Sequence, residues 1–200
     1  MLENLVFKSL GQVNYHETLE LMKNHIREDD FKNEIWLLEH PPIFTLGTAA
    51  NKKHILNPRD IPIIHSDRGG EVTYHGPGQL VIYFLLDIKQ LGLGPKRLVL
   101  SIQEFIKELL IDLSIESSFV EGAPGVYVND KKIASIGLRI SKNKTYHGVS
   151  INFDMDLKPF TYINPCGYEG LEVTQIKDFN DGVSQIQLEK LVIEKLRHIF

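Results

Sequence analysis

Residues 67–88 read DRGGEVTYHGPGQLVIYFLLDI, a glycine-rich segment followed directly by a long apolar run. The near-continuous apolar run Gln79–Ile88 predicts a strand that is covered on both faces. Four glycines between residues 68 and 78 allow the backbone to approach a ligand, and free N–H groups there could receive a carboxyl or thioester oxygen. The same composition fits a long turn with Pro77 at its corner. The segment lacks the glycine spacing of the common nucleotide-binding loops.

The elements around this strand predict one α+β domain over residues 1–200, with a mixed, largely antiparallel sheet flanked by helices. Alternating or apolar runs predict four further strands, at Leu5–Leu10, Asn33–Glu39, Gly125–Val128 and Lys132–Ile140, and a fifth at Thr145–Phe153. Apolar residues at helical spacing predict three helices, at Tyr15–Arg27, from Pro95 onward, and at Ile186–Ile199 with Ser184 as N-cap. Polar turns are expected at Asn129-Asp130 and at residues 141–144, and residues 43–67 are expected to be loop-rich.

Composition and charge exclude several classes of protein. The hydrophobic fraction of 42% and the charged fraction of 24% are those of a globular chain. The net charge of −4 argues against sequence-independent nucleic-acid binding, which requires a basic surface. The longest uncharged apolar run, Gly78–Leu86, is far shorter than the roughly 20 residues of a membrane-spanning helix, and residues 1–4 lack the features of a secretory signal. A single cysteine fits a reducing compartment, so we expect a cytoplasmic protein.

Cys166 lies in the sequence Asn164-Pro165-Cys166-Gly167. A lone cysteine is often a small buried hydrophobe, but flanking proline and glycine place this one on a turn that can present its sulfur. Because only a few per cent of an ordinary thiol is ionised at neutral pH, a nucleophilic role requires a cationic or basic partner.

Lys132 is a candidate for that partner. Strand alternation predicts that it shares a face with Ala134 and Ile136, which is unusual for a lysine, whereas Lys131 is expected in solvent. The sequence has no His-Glu-x-x-His motif, and one cysteine cannot build a zinc knuckle, so neither a metal nor a cofactor is predicted.

Taken together, these segments resemble the lipoyl(octanoyl) transferase family, also called lipoate–protein ligase B. Residues 68–83 match the family signature RGG-x-x-T-Y-H-x-x-G-Q-x-x-x-Y along its whole length. Residues 132–137 are similar to the family's K-I-A-x-I-G strand, residues 147–152 to its H-G-x-x-x-N segment, and residues 165–167 to its P-C-G. Tyr127 departs from the family pattern, where Trp is common, and Gln175 departs where Ser is usual.

The resemblance implies the catalytic-domain fold of biotin– and lipoate–protein ligases, which is similar to that of class II aminoacyl-tRNA synthetases. It also implies a reaction in which an octanoyl group passes from octanoyl-acyl carrier protein to a cysteine of the enzyme. The group then passes to a lysine of the lipoyl domains of 2-oxoacid dehydrogenases or of the glycine cleavage H protein. Since thioester-to-amide transfer is downhill, the reaction needs no ATP.

By the same resemblance, Cys166 and Lys132 are the catalytic residues, and the acyl group is bound by three segments. These are Arg68, Gly69, Gly70, Glu71, Val72, Thr73, Tyr74 and His75; Ser135, Ile136 and Gly137; and Gly148, Val149 and Ser150. Because acyl carrier proteins are acidic, a locally basic carrier-binding surface is also expected, with Arg68, Lys131, Lys142 and Lys144 as candidates.

Three other functions remain open at this point. An ATP-dependent lipoate or biotin ligase of the same fold would activate the acid as an acyl-adenylate and would not need Cys166. A non-catalytic module would bind the acyl carrier without turnover. A cysteine hydrolase would use His75 or His147 as its base and would pass the acyl group to water.

Overall fold

The computed structural model describes residues 4–200; Met1–Glu3, part of the segment on which the expectation about a secretory signal rests, lie outside the described residues. This range folds into ten strands and three α-helices. The strands are β1 (Val6–Gln12), β2 (Glu34–Glu39), β3 (Ile43–Leu46), β4 (Ile63–His65), β5 (Val72–His75), β6 (Gln79–Leu85), β7 (Ser118–Val120), β8 (Ala123–Val128), β9 (Lys131–Ser141) and β10 (Lys144–Asn152). The helices are α1 (Tyr15–His25), α2 (Pro95–Asp112) and α3 (Gln185–Ile199).

Two sheets organise the molecule. The larger sheet has seven strands in the order β1-β2-β6-β10-β9-β8-β7, and the smaller has three in the order β4-β3-β5. The pairs β1–β2 and β3–β4 are parallel, and every other pair is antiparallel. The expectation of a mixed, largely antiparallel sheet flanked by helices is therefore confirmed.

The larger sheet is covered on both faces, which explains the apolar run of β6. Ile82 and Phe84 pack into the core formed with α2 and α3, whereas Val81 and Tyr83 pack on the opposite face with α1. All seven residues of β6 are buried. Since alternate side chains enter two different apolar layers, neither face of this strand needs polar residues. None of the helices in residues 4–200 has both the length and the apolarity needed to cross a bilayer.

The predicted helix start and turns of the second half are confirmed. Ser184 caps α3 in a capping box, in which its hydroxyl accepts from Gln187 N–H and the Gln187 side chain accepts from Ser184 N–H. The β8–β9 and β9–β10 hairpins turn through Asn129-Asp130 and Lys142-Asn143, and all four residues have positive φ. Two such residues in succession form the hairpin turn whose twist matches that of the flanking strands.

The expectation that residues 43–67 are loop-rich is wrong in part. This stretch contains β3 and β4, which pair with each other, and β3 also pairs with β5 of the glycine-rich segment. The two strands have only four and three residues. Runs this short carry no clear alternation, so they are fixed by pairing with distant segments rather than by their own pattern.

Candidate active site

Lys132 and Cys166 meet in the lining of a cavity of about 580 Å³. The Lys132 Nζ donates to Cys166 Sγ over 3.0 Å. Lys132 is 2% exposed, whereas Cys166 is only partly buried and can be reached from solvent. Burial opposes the charge on Lys132, but the attraction and hydrogen bond of a Cys166 thiolate outweigh it, so the pKa of Lys132 is raised. The pair is therefore arranged as an ammonium beside a sulfur that solvent can reach.

A β-bulge aims Lys132 into this cavity. Val126 of β8 lies opposite Ala134 and Tyr127 lies opposite Lys132, so Ile133 is an extra residue on β9. Ile133 and Ala134 consequently both pack in the core beneath α2 and α3. The predicted face of Lys132 is thus wrong: the bulge shifts the alternation by one residue, and Lys132 does not share the face of Ala134.

Lys132 instead shares the cavity face with Ser135, and the neighbouring strand makes room for it. A Cβ at Gly125, which lies opposite Ser135, would stand 2.6 Å from Lys132 Cε. Lys131 behaves as expected, since its partly exposed side chain pairs with Glu172 at 3.1 Å.

Cys166 is presented by a strained turn. Its backbone has φ 57° and ψ 19°, the left-handed region that residues other than glycine rarely adopt, and Gly167 follows with φ 80°. The turn is held from behind, because Asn164 N–H donates to the His54 carbonyl over 2.8 Å and Ile163 bridges to Ile55. Such strain persists only where the surroundings enforce it, and it concentrates at functional sites.

The chain after Cys166 returns to the backbone of Lys132. Lys132 N–H donates to the Glu172 carbonyl over 2.9 Å, and Thr174 N–H donates to the Lys132 carbonyl over 3.0 Å. A buried amide chain fixes this segment, because Asn152 donates to the Thr174 carbonyl and accepts from the Gln79 side chain. The glycine-rich segment, β10 and the cysteine loop are thereby tied together behind the Lys132–Cys166 pair.

Arg68 holds the glycine-rich turn in place. Its guanidinium is buried and donates to the hydroxyl and carbonyl of Thr45 and to the carbonyls of Gly69 and Glu71. Desolvation lowers the pKa of Arg68, opposed mainly by Tyr15 and Cys166. Arg68 therefore cannot belong to an exposed carrier-binding surface, contrary to expectation.

Two of the three lysines suggested for that surface have local partners, whereas Lys142 is exposed in the β9–β10 turn. Lys131 pairs with Glu172, and Lys144 donates to the Glu28 carbonyl and lies over the ring of Phe31.

The cavity gathers the segments suggested for acyl binding, with one exception. Tyr74 does not line it, because the Tyr74 ring packs between Phe44 and Phe160 in the core beside the smaller sheet. The other suggested residues do line it: Arg68, Gly69, Gly70, Glu71, Val72, Thr73, His75, Ser135, Ile136, Gly137, Gly148, Val149 and Ser150. The alternation of β5 explains the exception, since Thr73 and His75 face the cavity while Tyr74 faces the opposite way.

Buried histidines and tyrosines form a polar end of the cavity. His147 Nε2–H donates to the Asp67 carboxylate over 2.8 Å, and Tyr83 bonds to His40 at 2.7 Å. Burial lowers the pKa of His147 and of His75, and lowers that of His40 to about 4. The hydrogen bonds of His75 are to Gln79 and Thr45. Since neither His75 nor His147 bonds to Cys166 within residues 4–200, the histidine base of a cysteine hydrolase has no support.

Comparison with known proteins shows the family to which the chain belongs. The family model described as the lipoyl protein ligase A/B catalytic domain matches residues 12–197. The chain belongs to this family. The resemblance seen in the sequence is thereby confirmed.

Relatives and solved structures agree with this membership. An octanoyltransferase of Marinobacter nauticus is 48% identical over 195 residues, which cover 96% of this chain and 92% of the relative. One of Dechloromonas aromatica is 51% identical over 177 residues, or 88% and 86% of the two chains. A lipoate-protein ligase A crystal structure with bound ATP has a TM-score of 0.80 at 15% identity, covering 100% of this chain and 85% of that one.

A second solved structure bears on the fold. The biotin protein ligase of Aquifex aeolicus has a TM-score of 0.58 at 15% identity, covering 100% of this chain and 69% of that one. These two structures confirm the ligase-type fold. The two octanoyltransferases are transferases, so the chain is an enzyme of the transferase class.

Sequence reasoning missed the residues that support the lysine. Tyr127 lies opposite Lys132 and was noted only as a departure from a family pattern. Asn152 ends the H-G-x-x-x-N segment, but the sequence gives no sign that it bonds to the Thr174 carbonyl. Within residues 4–200, no three His, Cys, Asp or Glu side chains come together as metal ligands would.

Proposed function

We propose that this enzyme transfers an octanoyl group from octanoyl-acyl carrier protein to the acceptor lysine of lipoyl domains, through a thioester on Cys166. The acceptors are the lipoyl domains of 2-oxoacid dehydrogenases and the glycine cleavage H protein, and the setting is the cytoplasm. The observation that carries the proposal is the 3.0 Å contact between Lys132 Nζ and Cys166 Sγ in the lining of the cavity. Octanoyltransferase relatives of about half identical sequence support the choice of acyl group.

In the first step, the Cys166 thiolate attacks the carbonyl carbon of the carrier-bound octanoyl thioester. The new carbon–sulfur bond forms as the bond to the phosphopantetheine sulfur breaks. The departing thiolate takes a proton from the Lys132 ammonium, which leaves Lys132 as a neutral amine. Attack through cysteine divides one difficult transfer into two easier ones.

In the second step, the neutral amine of the acceptor lysine attacks the Cys166 thioester. A carbon–nitrogen bond forms, the bond to the Cys166 sulfur breaks, and Lys132 takes the proton that the nitrogen loses. The products are the amide and the original pair of thiolate and ammonium, so Lys132 regains in the second step the proton that it gave in the first.

The cavity suits the acyl chain. Its walls are mostly apolar. Six methylenes at about 0.8 kcal/mol each contribute up to about 5 kcal/mol of binding when fully buried. We therefore propose that the cavity-lining residues of the three segments named above bind the octanoyl group, and that residues 1–200 act as one catalytic domain.

The test supplies each acyl source separately with a lipoyl domain. Octanoyl carrier protein without nucleotide is expected to yield the octanoylated lipoyl domain, whereas octanoate with ATP is expected to yield none. A product that requires octanoate and ATP would identify an ATP-dependent ligase instead.

The remaining alternatives give different outcomes in the same assay. Release of free octanoate with an unmodified lipoyl domain would identify a hydrolase. Carrier binding without any product would identify a binding module. Cys166→Ala is the matched control, since it removes the sulfur and leaves the cavity in place.

A further inference from the structure

The ring of Tyr127 lies beside the Lys132 ammonium. Lys132 Nζ is 5.3 Å from the ring centroid, within the range of about 6 Å in which a cation is attracted to an aromatic face. Both residues are buried, with exposures of 3% and 2%. Because this attraction is strongest where water is excluded, the pair is placed where the ring has its largest effect.

Apart from the Tyr127 ring, the surroundings of Lys132 do little to offset the cost of burying its positive charge. Lys132 takes part in none of the ion pairs found within residues 4–200. The group that bonds to its Nζ is the Cys166 sulfur, and that sulfur is neutral when it is a thiol or carries an acyl group. Arg68 and Glu71 lie on the side of the Cys166 turn, where Arg68 interacts electrostatically with Cys166 and the Glu71 side chain contacts Gly167.

The fold fixes the ring in this position. Tyr127 and Lys132 are direct cross-strand partners because the extra residue Ile133 lies next to them on β9. The Tyr127 hydroxyl donates to the Ala123 carbonyl over 3.3 Å, which restrains the ring from its far end. The ring therefore meets the lysine by its face, while its hydroxyl bonds to the Ala123 carbonyl and adds only the smallest contribution to the raised pKa of Lys132.

We propose that Tyr127 is a positioning residue whose ring face holds the Lys132 ammonium against the Cys166 sulfur. The inference rests on the proposed roles of Lys132 and Cys166. Held in this position, the ammonium stays within 3.0 Å of the sulfur, where its charge stabilises a thiolate. The ring attracts an ammonium and not a neutral amine. For the same reason, it makes Lys132 a stronger base towards the acceptor amine in the second step.

The single cysteine of the chain permits a test without any acyl substrate. Iodoacetamide reacts with the thiolate, so the alkylation rate of Cys166 against pH reports how far the ion pair favours ionised sulfur. Tyr127→Phe keeps the ring and loses the hydroxyl, whereas Tyr127→Leu loses both. The phenylalanine variant is expected to match the wild-type profile within about twofold, because most of the attraction comes from the ring.

The leucine variant is expected to behave differently. Without the ring, the ammonium is no longer held beside the sulfur, so the alkylation midpoint should move up by about one pH unit. Alkylation near neutral pH should then slow by up to about tenfold, equivalent to about 1.4 kcal/mol. Arg68 and Glu71 are unchanged in both variants, so their electrostatic effect on Cys166 is the same in each and does not contribute to the difference. Identical profiles for the leucine and phenylalanine variants would overturn the proposal.

A third variant keeps the proposal testable even if Tyr127→Leu does not fold. Trifluorophenylalanine at position 127 keeps the shape of phenylalanine but depletes the electron density of the ring face, so it should shift the midpoint towards that of leucine. An unshifted midpoint would also overturn the role of the ring. A wild-type profile equal to that of Lys132→Ala would instead contradict the Lys132–Cys166 pair, which separates failure of the proposed function from failure of this inference.

Discussion

Replacing Lys132 with arginine separates the two tasks proposed for this side chain. An arginine keeps a positive charge beside Cys166, so it can stabilise the thiolate that begins the first step. It remains protonated throughout, so it cannot give a proton to the departing thiolate, but a thiolate is a good leaving group without one and can take its proton from water. Nor can arginine accept the proton that the acceptor amine loses, and the second step depends on that transfer. Lys132→Arg is therefore expected to form the acyl-enzyme and to fail at its discharge.

The distances in the structure set the size of the effect. A unit positive charge 3.0 Å from the Cys166 sulfur attracts a thiolate by about 5 kcal/mol at an effective dielectric constant of about 20. Arginine retains most of this attraction, so the first step should slow by no more than about tenfold. Loss of a general base slows a reaction by roughly 10²–10⁴-fold, so the second step should slow by at least about 100-fold.

The assay is rapid quenching followed by intact-protein mass measurement in the presence of both octanoyl carrier protein and a lipoyl domain. Lys132→Arg should accumulate octanoylated enzyme, whereas wild type should show little at steady state. Lys132→Ala should slow both steps, because it loses the charge as well as the base. Lys131→Arg is the matched control, since Lys131 pairs with Glu172 outside the cavity and its change should leave both steps unaltered.

Two results would refute this reasoning. Discharge of the Lys132→Arg acyl-enzyme at the wild-type rate would show that Lys132 is not the base. Greater damage from Lys131→Ala than from Lys132→Ala would show that the wrong lysine has been assigned.

Three other changes test separate parts of the structure. Gly125→Ala should reduce octanoyl transfer by at least about tenfold, because its Cβ would stand 2.6 Å from Lys132 Cε. Gly92→Ala, also at positive φ but in open space, should leave transfer intact, and equal effects of the two changes in a transfer assay would contradict the crowding argument. Asn152→Ala should lower the free energy of unfolding by about 1–3 kcal/mol in urea titrations, because the Thr174 carbonyl loses a buried donor; an unchanged midpoint would contradict this. Burial lowers the pKa of His40 to about 4 in the folded chain, against about 6.5 when it is unfolded. The free energy of unfolding should therefore fall by about 2 kcal/mol from pH 7 to pH 5, because the unfolded chain binds a proton that the folded chain excludes. Equal urea midpoints at the two pH values would contradict this.

Much of the fold could be predicted because its longest elements bury continuous or periodic apolar residues. The apolar run of β6 and the periodic apolar face of α2 can be recognised from the sequence alone, because the residues that make each pattern are the ones buried in the core. The strands β3 and β4 could not be predicted, because three or four residues acquire their structure only by pairing with segments far along the chain.

The candidate site shows a similar division. Motif order identified Cys166 and Lys132 and most of the cavity lining, but alternation placed Lys132 on the wrong face. A single bulged residue, Ile133, reverses the direction of every side chain beyond it, and nothing in the local sequence marks that residue as extra. Tyr127 was missed for the same reason, since its pairing with Lys132 depends on that bulge.

The central claim is that the acyl group rests on Cys166 between donor and acceptor. The most direct measurement is intact-protein mass, with peptide mapping, after incubation with octanoyl carrier protein alone and again after a chase with a lipoyl domain. One octanoyl group should appear on Cys166, be removable by hydroxylamine at neutral pH, and pass to the lipoyl domain at the rate of turnover. Transfer to the lipoyl domain by Cys166→Ser at a rate near that of wild type, or an adduct on Cys166 that the chase leaves in place, would contradict the account.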